Sequence, residues 1–142
     1  MELPSTPSRM VLVVLADDES KSDAIEVLRT WRSRIESWKI VATRETGNLI
    51  EARLALDVEL VESGARGGTY QIAALVVSKQ VAAVIGLSQR LSRTAETVAL
   101  TALREVCDIH NVPYASNTAT AEAVMAWLLG FVDERVAVET DV

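Results

Sequence analysis

Two uninterrupted aliphatic runs constrain this chain more than anything else in it: Met10-Val11-Leu12-Val13-Val14-Leu15-Ala16 and Val81-Ala82-Ala83-Val84-Ile85-Gly86-Leu87. Neither alternates apolar with polar residues, so neither suits a strand with one wet face. Both read as central parallel strands covered on both sides by helices. Shorter segments at Lys39–Thr43, Val58–Val61 and Tyr114–Ser116 supply three more strands. Helical spacing fills the intervals. Ala24, Leu28, Trp31 and Ile35 predict a helix from about Ser20 to Ser37, Leu49 to Leu54 a second, and the stretch from about Thr69 to Ser78 a third. Ala95–Ile109 and Thr118–Leu129 are two further helices, with Trp127 expected in the core. Arg135 to Val142 is apolar and acidic, and reads as an edge strand or a frayed tail. Strands alternating with helices define an α/β chain, a single-domain, doubly wound, mostly parallel five-stranded sheet with helices on both faces. The domain is expected over residues 10–142, behind a disordered segment 1–9 that has no apolar leader.

Composition narrows the partners. With 142 residues and 49% hydrophobic content the chain has enough apolar mass for one core. A net charge of -6, with Lys and Arg scattered, argues against a nucleic-acid surface. No apolar run reaches membrane-spanning length, so no membrane partner is expected. A single cysteine, Cys107, cannot close an internal disulfide and is expected to be a buried, inert thiol in a cytoplasmic protein. One histidine, one cysteine and dispersed carboxylates lack metal-ligand spacing, and no cofactor is implied.

The polar residues that follow the strands carry the chemistry. Glu62-Ser63-Gly64-Ala65-Arg66-Gly67-Gly68-Thr69-Tyr70-Gln71 sets three glycines, a hydroxyl and a cation between apolar segments. Glycines there permit positive φ and close backbone approach, and the helix beginning near Thr69 offers unpaired N–H groups to an anion. The same stretch also fits a plain strand-to-helix connection. Lys21 lies in the first turn of a helix, where the dipole opposes a cation: it is either a binding residue or a surface lysine. Thr43 and Thr46 flank another strand-to-helix turn, and Thr46 is either an anion ligand or an N-cap. In doubly wound sheets ligands bind beyond the carboxyl ends of the strands, and that rule gathers Asp17, Asp18, Lys21, Thr43, Thr46, Ser63, Gly64 and Ser88 to Arg90 on one rim.

Four segments in this order resemble methylglyoxal synthase and the related methylglyoxal-synthase-like domains. They are Ala16-Asp17-Asp18-x-x-Lys21, Ala42-Thr43-Arg44-Glu45-Thr46-Gly47-Asn48-Leu49-Ile50, Ser63-Gly64-x-x-Gly67-Gly68-x-x-Gln71 and Asn111-Val112-Pro113-x-Ala115-x-Asn117-x-x-Thr120-Ala121. The resemblance implies an enzyme that takes a proton from dihydroxyacetone phosphate, forms an enediolate phosphate and expels inorganic phosphate to give methylglyoxal. That is a carbon–oxygen lyase reaction. It further implies a phosphate site at Lys21, Thr43, Thr46 with Gly47, Ser63 and Gly64, and a homo-oligomer, commonly a hexamer.

The acid–base positions depart from the family. Thr69 stands where the resemblance places the catalytic base, Asp17 where it places a histidine, and Glu45 where it places a middle threonine. The loop from Ser88 through Thr97 has neither the aspartate nor the histidine of the family, and His110 matches an aromatic position. Asp18, with Asp17, is then the candidate base, since adjacent carboxylates resist simultaneous ionisation and one pKa rises. The alternative is a non-catalytic regulatory module that senses an anionic metabolite, with Arg44, Arg66 and Arg90 setting ligand specificity.

Overall fold

The two aliphatic runs become the middle of a parallel sheet. In the computed structural model, which describes residues 10–89 and 95–140, the chain runs β1 (Val11–Ala16), α1 (Lys21–Trp31), β2 (Lys39–Thr43), α2 (Arg44–Leu54), β3 (Val58–Val61), α3 (Gly68–Val77), β4 (Ala83–Leu87), α4 (Ala95–Ile109), β5 (Tyr114–Ala115) and α5 (Thr118–Thr140). The strand order is β3-β2-β1-β4-β5. Every neighbouring pair is parallel, with Val13 opposite Val41 and Val84 and with Ala16 opposite Leu87. The expected disordered segment 1–9, Arg90 and residues 141–142 lie outside the described residues.

The period of two in β1 splits its side chains between two cores. Leu12 and Val14 pack with Leu28 of α1, Ile50 of α2 and Met125 and Leu128 of α5. Val13 and Leu15 pack with Ile72 and Val76 of α3 and Leu103 and Cys107 of α4. Each such aliphatic side chain, fully buried, contributes roughly 1.5–3 kcal/mol of transfer free energy, so the sheet is held from both faces. Cys107 is wholly buried as expected, and burial, with Asp108 beside it, pushes its thiol up to about 12.

Three expectations change. The segment from Arg135 onward is neither strand nor tail but the continuation of α5 as far as Thr140; it contains no proline, and nothing in the sequence stops the helix earlier. Trp127 is not core: it is 42% exposed and meets Phe131 edge-to-face at 4.7 Å between ring centroids. The first helix ends at Trp31 in a 3-10 turn, Arg32–Arg34, short of the expected Ser37. There the side chains clasp neighbouring elements instead: Trp31 Nε1 donates to Glu122 Oε2 of α5 at 2.9 Å, and Arg32 Nε donates to Leu54 O at the end of α2.

Gly86 is the tightest point of the central sheet. A Cβ there would stand 2.6 Å from Tyr114 Cζ and closer still to the phenolic oxygen. The ring cannot simply swing out, because the Arg104 guanidinium lies 5.6 Å over its centroid. Gly86→Ala is expected to lower the urea midpoint by the equivalent of about 1–3 kcal/mol with an unchanged slope. An unaltered midpoint would show that the ring relaxes freely.

Candidate functional site

Four strands end side by side in the order β3, β2, β1, β4, and each ends in polar residues. After β1 the chain makes a 3-10 turn, Asp18–Ser20, and enters α1 at Lys21. The Lys21 ammonium donates to Ala16 O at 3.2 Å and to Asp18 Oδ1 at 2.7 Å. Asp18 thus offsets the unfavourable placement of a cation in a first helical turn. Thr46, in the first turn of α2, donates from Oγ1 to the same Ala16 oxygen at 3.4 Å. One carbonyl at the end of β1 therefore ties a lysine of α1 to a threonine of α2. Lys21 has three N–H donors and spends two on these contacts.

Thr43 and Thr46 are buried, whereas Arg44 and Glu45 between them are exposed. No side chain caps the first turn of α2. The threonines, not the charged pair, belong to the inner surface of the turn. Gly47 is buried for a different reason. A Cβ on it would meet the end of the Leu60 side chain and stand 3.2 Å from Val58 Cγ1, so its missing side chain lets α2 pack closely on β3.

Ser63 and Gly64 follow β3, one strand out from Thr43, which pairs with Val61. Gly64–Arg66 form a 3-10 turn closed by the Gly68 amide on Ser63 O at 2.9 Å. Of the three glycines expected to exploit positive φ, Gly67 alone does so, at 91°. Gly68 is required by close approach instead: a Cβ would lie 2.7 Å from the Glu62 carbonyl carbon and inside contact of its oxygen. Gln71 braces the loop from behind, its Oε1 accepting the Glu62 N–H at 2.8 Å. Thr69 is 2% exposed, and Arg66 is exposed with its Nε 3.7 Å from Glu62 Oε2.

Asp17 spans the gap between β1 and β4. Its N–H donates to Leu87 O at 3.1 Å, and its Oδ2 accepts the Gln89 N–H at 2.9 Å. Burial by itself raises the pKa of this carboxyl, but hydrogen bonding from the Ser20 hydroxyl, the Gln89 N–H and the Ser88 hydroxyl outweighs it and holds the group below its ordinary value. Of these contacts the Gln89 bond is the well-formed one, since Oδ1 is buried and meets no donor in full hydrogen-bond geometry. The shift is opposite to the elevation expected from two adjacent carboxylates.

The structure thus joins Lys21, Asp18 and Thr46 through Ala16, sets Thr43, Ser63 and Gly64 on the neighbouring strand ends, and turns Asp17 towards the exit of β4. Arg44 and Arg66 are exposed on the rim, and Arg90 lies outside the described residues. Two features have no signature in residue type: the Ala16 carbonyl and the Gln89 amide are backbone groups. The brace by Gln71 is legible as a polar residue in a glycine-loop motif, but its acceptor role is not. Among the described residues no group of three or more metal-ligating side chains occurs, and no helix is long and apolar enough to cross a membrane.

No family model matches the sequence. Among curated proteins it is similar to the methylglyoxal synthase of Clostridium perfringens, at 32% identity over 117 residues that cover 82% of this chain and 98% of the relative. It is likewise similar to the methylglyoxal synthase of Ralstonia nicotianae, at 34% over 119 residues, covering 84% and 88%. The chain belongs to the methylglyoxal synthase family. A crystal structure of methylglyoxal synthase from Elizabethkingia anophelis matches the fold with a TM-score of 0.73 at 25% identity, covering 87% of this chain and 82% of that one. Within a methylglyoxal synthase fold, the strand ends assembled here lie where an open α/β sheet places its ligand.

A pH prediction follows from Asp17. Its folded pKa lies below the ordinary value of an aspartate, so the unfolded chain takes up this proton at higher pH than the folded one. The stability it contributes is complete above about pH 4 and is lost as pH falls through the folded pKa. Asp17→Asn is therefore expected to flatten the acid limb, giving a smaller fall in urea midpoint between about pH 6 and about pH 3.5 than in the parent. Equal falls in both proteins would show that Asp17 does not couple to folding.

Proposed function

We propose that this protein binds dihydroxyacetone phosphate, or a close phosphorylated relative, on the rim formed by the ends of β1, β2 and β3, and eliminates phosphate from it slowly. The observation that carries this reading is the convergence of Lys21 Nζ and Thr46 Oγ1 on Ala16 O beside the uncapped start of α2. An ammonium with one N–H to spare, the buried Thr43 hydroxyl and the amides of a helix start form the donor set that a phosphate monoester takes, and Thr46 joins it if its hydroxyl turns from Ala16 O. Ser63 and Gly64 extend it from the adjacent strand end.

The family reaction needs a base for a carbon-bound proton of the substrate. The proton leaves to a carboxylate, its electron pair forms the enediolate, and that pair then expels the phosphate oxygen from carbon, so that inorganic phosphate departs. The enol left behind rearranges to methylglyoxal. In this chain Asp18 is the carboxylate nearest the proposed phosphate, being in contact with Lys21. It is 95% exposed and ion-paired, and Thr69 offers only a hydroxyl, so proton abstraction is expected to be inefficient.

Two variants test the reading by calorimetry with inorganic phosphate and by a methylglyoxal assay with dihydroxyacetone phosphate. Lys21→Ala is expected to weaken phosphate binding about ten- to a hundredfold, the scale of one lost charge-assisted hydrogen bond. Asp18→Asn is expected to keep phosphate binding while turnover drops by about two to four powers of ten. Undiminished phosphate binding in Lys21→Ala overturns the anion site, and undiminished turnover in Asp18→Asn overturns Asp18 as base.

A further inference from the structure

Resting on the same site, we propose that Asp17 is not a second base but the positioning residue of the β1–β4 junction, fixing the exit of β4 through the Gln89 amide so that the rim keeps the shape a phosphorylated ligand requires. The geometry points to this because both oxygens of the carboxylate are directed into the junction. Oδ2 already accepts the Gln89 N–H at 2.9 Å, and Oδ1 is buried. Asp18, one residue on, is almost fully exposed. Two adjacent carboxylates thus have opposite orientations and separate work.

The location makes the contact consequential. β1 and β4 are the neighbouring strands from which the chain departs in opposite directions across the sheet, β2 and β3 lying on one side and β5 on the other. The carboxyl ends at such a switch point diverge and leave a crevice. The last register pair of the two strands is Ala16 with Leu87, and backbone pairing gives out just beyond it. Asp17 extends the junction past that point, by its own N–H on Leu87 O and by its side chain on Gln89 N–H. Its backbone carbonyl meanwhile accepts the Ser20 N–H at 3.0 Å, which shapes the turn leading to Lys21. One residue therefore sets the separation between the exit of β4 and the lysine that meets the anion. A change at Asp17 reaches the ligand through these two segments, without touching it.

The test compares Asp17→Ala and Asp17→Asn with the parent by amide NMR and by titration with inorganic phosphate and dihydroxyacetone phosphate. The Gln89 amide proton, bonded to a carboxylate in the parent, is expected to move upfield in Asp17→Ala and to move less in Asp17→Asn, whose side-chain oxygen still accepts. Ligand affinity is expected to fall about tenfold in Asp17→Ala and to be largely restored in Asp17→Asn, since a neutral acceptor retains much of the bond. An unmoved Gln89 resonance in Asp17→Ala overturns the proposal. So does an Asp17→Asn protein that binds both ligands normally yet loses turnover with KM unchanged, the signature of a base. If even the parent fails to bind phosphate, the anion reading fails and takes the ligand-shaping role with it, whereas the Gln89 resonance still reports whether Asp17 holds the junction.

Discussion

The Ala16 carbonyl is the point on which the candidate site depends. It stands at the end of the central strand, and it accepts from Lys21 of one helix and Thr46 of another. A lysine in a first helical turn is repelled by the helix dipole, and a long side chain loses rotamer entropy when held. Two fixed acceptors, Ala16 O and Asp18, compensate by orienting the ammonium before any ligand arrives. Such preorganisation would let a single cation serve the proposed anion site, because the cost of ordering it is met during folding and not at binding.

Glycines in this protein answer three separate demands, and one has to look at what surrounds each to tell them apart. Gly67 adopts a left-handed backbone before α3. Gly68 and Gly86 make room, the one for a neighbouring carbonyl group and the other for a tyrosine ring. Gly47 lets α2 lie flat on Leu60 and Val58 of β3. The last of these also places Thr43 and Thr46, because the depth at which α2 sits on the sheet determines whether its first turn reaches the end of β1. Packing at Gly47 therefore helps set the geometry of its neighbour Thr46, and the glycine of the Thr46-Gly47 pair acts through structure.

Much of this was legible in the residues themselves. Two unbroken aliphatic runs have no other home than the middle of a parallel sheet, and once strands and helices alternate, the rim residues Lys21, Thr43, Thr46, Ser63 and Gly64 fall on adjacent strand ends in the order that the sheet displays. What could not be read is whatever depends on orientation or on main-chain atoms. Asp17 and Asp18 are identical in type and adjacent in sequence, yet one is turned inward to a backbone amide and the other to solvent and Lys21. Trp127 has the composition of a core residue but falls on the open side of α5, since a helix that is apolar nearly all round cannot bury every face against one sheet. The final stretch of α5 misled for a related reason: Val136, Ala137 and Val138 suit a strand locally, and only continuity with the preceding helix decides otherwise.

The inward turn of Asp17 also bears on what chemistry this carboxylate can do. A carboxylate held below its ordinary pKa by hydrogen bonds is a weaker base than a free one, because each bond that stabilises the anion is lost on protonation. The same bonds make it a better anchor, for the same reason. Within one short turn the chain therefore cannot use Asp17 both to pin the exit of β4 and to take a proton from a carbon acid at neutral pH. Asp18 stands apart from that constraint: it is exposed and ion-paired with Lys21, not tied to the exit of β4.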